Sequence, residues 1–350
     1  MAYTTINKST DHFNTLLYTG NDTDGRAITG VGFQPDWVWF KGRNYATDHE
    51  VFDPVRGVTN YIITNGTNVQ ASNSNRLQSF DSDGFTLGNS TSVNKNYNYV
   101  AWNWKAGNSA GSSNSDGNLT STVSANTTAG FSIVKYTSDG SGTTIGHGLG
   151  VEPNVILLKN ISDAENWVGH FSSIHSSSGN GNNLYLNLTN ADSSDSQTVT
   201  ARSATTFTCA NLGGPANASS AKNYIAYCFA EKKGFSKFGK YTGNGNADGT
   251  FIYTGFKPAF LLSKMSSGTQ GWFLVDNKRE NPFNPVDGSL HPNSTAVEDT
   301  SSNFFVDFTS NGFKLRDNDA QLNGDGSTYV YMAFAEAPFV GTNNIPATAR

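Results

Sequence analysis

The sequence predicts an all-β protein of three tandem antiparallel β-sandwich-like modules, and three observations carry that prediction. A set of motifs recurs three times at fixed spacing. Short apolar runs bounded by Gly, Pro, Asn and Asp read as strands rather than helices. The 23 Phe and 14 Tyr, set among Gly, Ser, Thr and Asn, favour strands joined by polar turns.

The repeats decide the architecture. Tyr18-Thr19-Gly20 returns as Tyr136-Thr137 and as Tyr241-Thr242-Gly243. Each Tyr precedes a proline by 17 residues (Pro35, Pro153, Pro258), and each proline precedes a lysine by 6 (Lys41, Lys159, Lys264). Each copy closes on a related segment: YVAWNWKA from Tyr99, YIAYCFAE from Tyr224 and YVYMAFAE from Tyr329. The modules are then 1–111, 131–233 and 234–350, the last with a C-terminal extension. The Gly/Ser/Asn-rich stretch 112–130 between the first two reads as a linker or an extended surface segment. Three similar modules in one chain predict a pseudo-trimeric monomer within an assembly, with a homo-oligomer as the alternative.

After each proline comes DWVWFK, NVILLK or AFLLSK, apolar at successive positions, which is the pattern of a strand buried on both faces. Trp37 and Trp39 fall where the other copies have Val155 and Leu157, or Phe260 and Leu262. In the closing segment, Val100, Trp102 and Trp104 match Ile225, Tyr227 and Phe229, then Val330, Met332 and Phe334. The opposite face carries small residues: Ala101, Ala226, Cys228 and Ala333. Period-two alternation makes these four tryptophans core residues rather than platforms for a sugar. Trp167 and Trp272 lie 14 residues after their prolines, where the first copy has His49. GTQGW and DAENW give these positions a claim to exposure, so Trp167, Trp272 and His49 are candidates for contact with a ligand or surface. The following FLVD, read as a strand, argues for packing instead.

Chemistry is sparser. A net charge of −5 without a run of Lys or Arg speaks against a nucleic-acid partner. No segment has the apolar length of a membrane helix or the pattern of a secretory leader, so synthesis in a cytoplasm without membrane insertion is expected. Cys209 and Cys228 read as a reduced pair. The six histidines lack metal-ligand spacing, and His147 in IGHGLG reads as a turn residue. Asp81/Asp83 and Asp317/Asp319 fit tight turns better than calcium loops. Asp53 and Arg56 stand 18 and 21 residues after their proline, as do Asp276 and Arg279, whereas the middle copy has Phe171 and Ile174. A pair repeated twice and replaced by apolar residues once reads as a local salt bridge or turn clamp. No catalytic, cofactor or metal residue is assigned.

Residues 16 to 107, with LYTGN, GFQPDWVWFKGRN, VFDPVRG, SFDSDGFTLG and YVAWNWKAG, resemble the first module of a group of repeat-containing virion proteins of tailed, largely marine, bacteriophages. FSIVKYTSDGSGTTIGHGLGVEPNVILLKN, YIAYCFAEKKGFSKFGKYTGNG, FIYTGFKPAF and YMAFAEAPFVGTNNIPATAR are similar to later modules of that group. The resemblance implies a virion location and a non-enzymatic structural role on the particle exterior, as tail fibre, head fibre or capsid decoration. Other virion proteins are then the expected partners, and a host surface glycan a further one. It carries no catalytic or binding residues. The alternatives are a glycan-binding adhesin and, third, a polysaccharide depolymerase, which would need a single-copy pair of carboxylates that the sequence does not display.

Overall fold

The computed structural model describes residues 3–340, apart from 142, 176–181, 195–197, 210–213, 219, 280–282 and 302–303. The chain is all-β, with six antiparallel sheets among the described residues, three large and three small. Each large sheet has the same heart: an opening strand, a closing strand, a middle strand and a third strand, in that spatial order. These are Phe13–Thr19, Asn98–Trp104, Trp37–Gly42 and Glu50–Phe52 in the first unit. In the second they are Phe131–Thr137, Asn223–Phe229, Val155–Asn160 and Val168–Phe171. In the third they are Ser236–Thr242, Thr328–Pro338, Phe256–Met265 and Trp272–Asp276.

The registers are equivalent. Tyr18 lies opposite Tyr99, Tyr136 opposite Tyr224 and Tyr241 opposite Tyr329. Their rings stack with centroids 5.3, 5.1 and 4.9 Å apart, which explains why a tyrosine both opens and closes every copy. In the first and third units the glycine after the opening Tyr-Thr is forced by contact. A Cβ at Gly20 would sit 1.7 Å from the Lys95 carbonyl oxygen, and one at Gly243 would sit 2.3 Å from that of Gly324.

A three-stranded sheet covers the outer face of each large sheet: Arg26–Thr29 with Leu77–Asp81 and Gly84–Leu87 in the first unit, and its counterparts in the others. Val38, Phe40, Phe52 and Ala101 pack there against Leu77, Phe85 and Leu87. The small residues Ala226 and Cys228, and Ala333, take the same outer position in the other two. Among the described residues the inner faces have no such sheet over them. Trp37, Trp39, Trp102 and Trp104 meet Phe131, Tyr227 and Phe229 of the second unit and Phe260, Met332 and Phe334 of the third in one apolar cluster. Trp37 stacks on Tyr227 at 4.6 Å and Trp104 packs edge-on to Phe334 at 5.6 Å. All four tryptophans are buried, so the sandwich expectation holds at these positions and a second, shared core lies behind it.

The 112–130 stretch departs from a linker. Ser112–Asn114 and Ser121–Asn126 are strands that extend the second large sheet, the latter paired along the whole of Phe131–Tyr136. Ser and Asn side chains pay here through contacts that composition does not reveal: the Ser121 hydroxyl donates to Gly146 O at 2.8 Å and Thr144 N donates to Asn118 Oδ1 at 2.6 Å. Residues 341–350 of the C-terminal extension lie outside the described residues.

Because Trp104 contacts both the first and third units, Trp104→Ala is expected to cost about 3–5 kcal/mol, the range for deleting a large buried aromatic. A urea titration should show the loss as one shifted transition, followed equally by fluorescence and far-UV circular dichroism. Two separated transitions would mean that the inner cluster does not couple the units.

Candidate functional site

The residues that carry chemistry collect at three junctions between units, and equivalent positions make equivalent contacts. Eight residues after each repeated proline, a backbone carbonyl receives an N–H from a neighbouring unit: Glu298 N to Arg43 O at 2.8 Å, Gln70 N to Ile161 O at 3.2 Å and Asp192 N to Ser266 O at 2.7 Å. These contacts run from the first unit to the third, from the second to the first and from the third to the second, closing a ring.

The residues proposed from sequence for surface contact fall on the same ring. Trp167 Nε1 donates to Ile63 O of the first unit at 2.7 Å, and Trp272 Nε1 donates to Tyr185 O of the second at 2.9 Å. Both rings are 0% exposed, and so is His49. The expectation that they meet a ligand from solution is therefore corrected. The polar residues preceding them turn the chain inward, and each indole satisfies its N–H on another unit's backbone. His49 Nδ1 accepts from Trp39 Nε1 at 3.0 Å. Its Nε2 faces the His291 backbone of the third unit without the geometry of a full hydrogen bond. Burial, helped by the nearby Lys41, His291 and Arg279 charges, holds His49 well below the ordinary histidine pKa, which keeps it a neutral acceptor.

The acid–base pairs close the ring a second way. Asp53 Oδ2 takes Arg56 Nε at 2.5 Å and the Tyr227 hydroxyl of the second unit at 2.7 Å. Asp276 Oδ2 takes Arg279 Nε at 2.7 Å and Trp102 Nε1 of the first unit at 2.9 Å. The third junction has Phe171 in the acid's place and Met332 in the donor's, both in the shared apolar cluster. Donor and acceptor are thus lost together, which is why the middle copy lacks the Asp and the Arg. Burial by itself would raise the Asp276 carboxyl, but the Arg279 guanidinium and the hydrogen bonds to it hold it below the usual range. Arg279 also pairs with Glu298, which in turn receives Arg43 Nε at 2.8 Å.

The repeated lysines lie on the inner face, two residues beyond the second inner aromatic or aliphatic residue. Lys41 Nζ donates to Gly42 O and to Thr295 O of the third unit, both at 3.1 Å. Lys159 Nζ donates to Asn160 O at 2.6 Å and to Thr67 O of the first unit at 3.1 Å. Lys264 Nζ donates to Met265 O and, at 3.3 Å, to Gly268 O, with the Asp192 charge of the second unit nearby. Burial pulls all three ammonium groups down to about 8.

Other positions serve local structure. Asp83 accepts from Gly32 N at 2.6 Å, Asp81 from Thr86 Oγ1 at 2.8 Å, and Asp319 from Gln321 N at 2.7 Å. His147 Nδ1 accepts from Leu149 N at 3.2 Å. Cys209 and Cys228 are buried free thiols, both pushed up by burial. Two features escape a reading of the sequence. Asn94, Asn217 and Asn323 are buried hubs a few residues before each closing tyrosine, and Asn323 Nδ2 alone reaches Asn246 O and Asp317 O at 2.8 Å each. Glu50, raised to about 7 by burial against the opposing pull of Arg76, is buried behind that arginine at 2.5 Å. The asparagines could have been found from their uneven but short spacing to the closing tyrosine; Glu50 has no counterpart to signal it.

The family model described as "Domain of unknown function (DUF7483)" matches residues 8–338, and the chain belongs to that family. Its span takes in all three units as one domain. No curated protein and no solved structure matches the chain.

Two predictions follow from the junctions. Asp53→Ala leaves the buried Arg56 and the Tyr227 hydroxyl unpaired and should cost about 3–5 kcal/mol in urea unfolding. The triple change Asp53→Phe, Arg56→Ile and Tyr227→Met, which copies the apolar junction, should recover most of that loss; a triple variant no more stable than Asp53→Ala would contradict the reading. The lysines set a pH dependence. Their folded pKa lies below the ordinary lysine value of 10.5, so above pH 8 these lysines hold more protons in the unfolded chain and stability rises with pH. The rise should stop near pH 9, where unfolding lets the Cys209 and Cys228 thiols ionise, and above that the tyrosines, all of which burial keeps protonated in the fold. Urea midpoints between pH 7.5 and 8.5 should climb in the natural chain and climb less in Lys159→Met; equal slopes would exclude the lysine as their source.

Proposed function

We propose that this member of the DUF7483 family is a non-enzymatic structural protein of a bacteriophage particle, carried on the particle exterior as a fibre, knob or decoration. Its three units act as three repeats about a pseudo-threefold axis, doing within one chain what a homotrimer does with three. The observation that supports this most is the closed ring of junctions. Asp53, Asp276, Arg56, Arg279, His49 and the three lysines are buried in it, and Asp53, Asp276, Lys41 and Lys159 bond directly to another unit, so the groups that could do chemistry are committed to holding the units together. The resemblance of its motifs to phage virion proteins supplies the particle. The surface left over is mostly polar turn and loop with a few exposed aromatic side chains, suited to contact with other virion proteins and with a host.

Immuno-electron microscopy on intact particles of the source phage tests the reading. Label on the outer surface of capsid or tail is expected. Antigen found only in the lysate and absent from purified particles would overturn it.

A further inference from the structure

The first unit carries one surface feature that the ring does not use. Tyr45 and Tyr97 stack with centroids 4.2 Å apart and planes within 3°, and Tyr45 is 40% exposed. Tyr45 stands ten residues after its repeated proline and Tyr97 two before its closing tyrosine. At those positions the second unit has Asp163 and Lys222, an ion pair at 2.8 Å, and the third has Gly268 and Ser327. The fold therefore closes this corner without aromatic rings, and an aromatic pair there with Tyr45 exposed and Tyr97 half-buried has no structural need to meet.

The residues beside the stack complete a site. Asn44 and Asn98, each adjacent in sequence to one of the two tyrosines, line a cleft of about 350 Å³ with Arg43, Val297, Glu298 and Thr300, between the first and third units. Such a volume holds one or two sugar rings. Asn44 Oδ1 accepts from Asn98 N at 2.9 Å, and Asn98 Oδ1 accepts from Thr19 Oγ1 at 3.0 Å. Each amide oxygen thus has a partner within the fold, which leaves the Nδ2 groups as the donors for a ligand. Glu298 is held by Arg43 and Arg279, so the carboxylate lining the cleft is balanced and has no oxygen free for acid–base work. A flat apolar ring face, oriented amide donors and a charge-balanced wall match a neutral pyranose, whose C–H face stacks on aromatic rings and whose hydroxyls take hydrogen bonds.

We propose that the Tyr45–Tyr97 stack and the adjoining cleft bind a neutral hexopyranose unit of a polysaccharide, without cleaving it. This does not depend on where the protein sits on a particle. The intact chain is applied to an array of neutral bacterial polysaccharides, with lipopolysaccharide O-chains in one arm and capsular polysaccharides in the other. The strongest binder is then titrated by calorimetry. Binding in at least one arm is expected, and the arm that answers identifies the source. Tyr45→Ala should weaken it at least about tenfold, the scale of one lost aromatic contact, whereas Tyr45→Phe should keep it. Asp163→Ala with Lys222→Ala, at the matching corner of the second unit, should leave it unchanged. On the unmutated protein, the bound glycan should shield Tyr45 from nitration by tetranitromethane. Silence in both arms, affinity within twofold after Tyr45→Ala, or nitration unaltered by saturating glycan would each overturn the proposal.

Discussion

A sheet that is apolar on both faces has to be covered twice, and that requirement shapes the whole molecule. In each unit the outer face is covered locally by three short strands, so the unit contains one ordinary sandwich core. Among the described residues the inner face is covered mainly by the other two large sheets, through a cluster that no unit owns. Burial of this kind is non-directional and contributes most of the association, but it does not by itself fix how three sheets sit against one another. Orientation comes from the directed contacts around the rim: indole to carbonyl, tyrosine to carboxylate, ammonium to carbonyl. Polar groups in such places cost stability unless each finds a partner, and here the partner is regularly supplied by a different unit.

That division explains what could be read from the sequence. Period-two alternation in the closing strands and the unbroken apolar middle strands report burial on both faces, and Trp37, Trp39, Trp102 and Trp104 are buried accordingly. The Asp–Arg pairs were legible as clamps because their spacing repeats, and the structure pairs them within each copy. Their second role, reaching across to Tyr227 and Trp102, was not legible, since it joins residues 174 positions apart. The same long reach misled the reading of Trp167 and Trp272. Polar neighbours suggest exposure along the chain, but the carbonyls that receive their indoles belong to other units. Composition misled at 112–130 for a related reason. Ser, Thr and Asn can edge a sheet when their side chains find backbone partners, and those partners lie on the strand Thr143–Gly146 of the small sheet.

The third junction shows how the ring tolerates change. Phe171 and Met332 replace a carboxylate and its donor with an apolar pair in the shared cluster. An ion pair and a well-packed apolar pair of similar size are comparable solutions for a buried site, whereas half of either is not. Differences among the copies then carry information about function as well as packing. Where a position varies together with its partner across a junction, the fold explains it; where the first unit alone stacks two tyrosines with Tyr45 open to solvent, packing does not.

Native-state hydrogen exchange across the three closing strands, Asn98–Trp104, Asn223–Phe229 and Thr328–Pro338, tests most directly whether the ring makes one body of three units. If the units are held as one, the slowest amides of all three strands should exchange with the same opening free energy and fall together as urea is added. A closing strand that opens at markedly lower free energy than the other two would show that its unit unfolds alone and that the shared core and junctions do not bind the three into one.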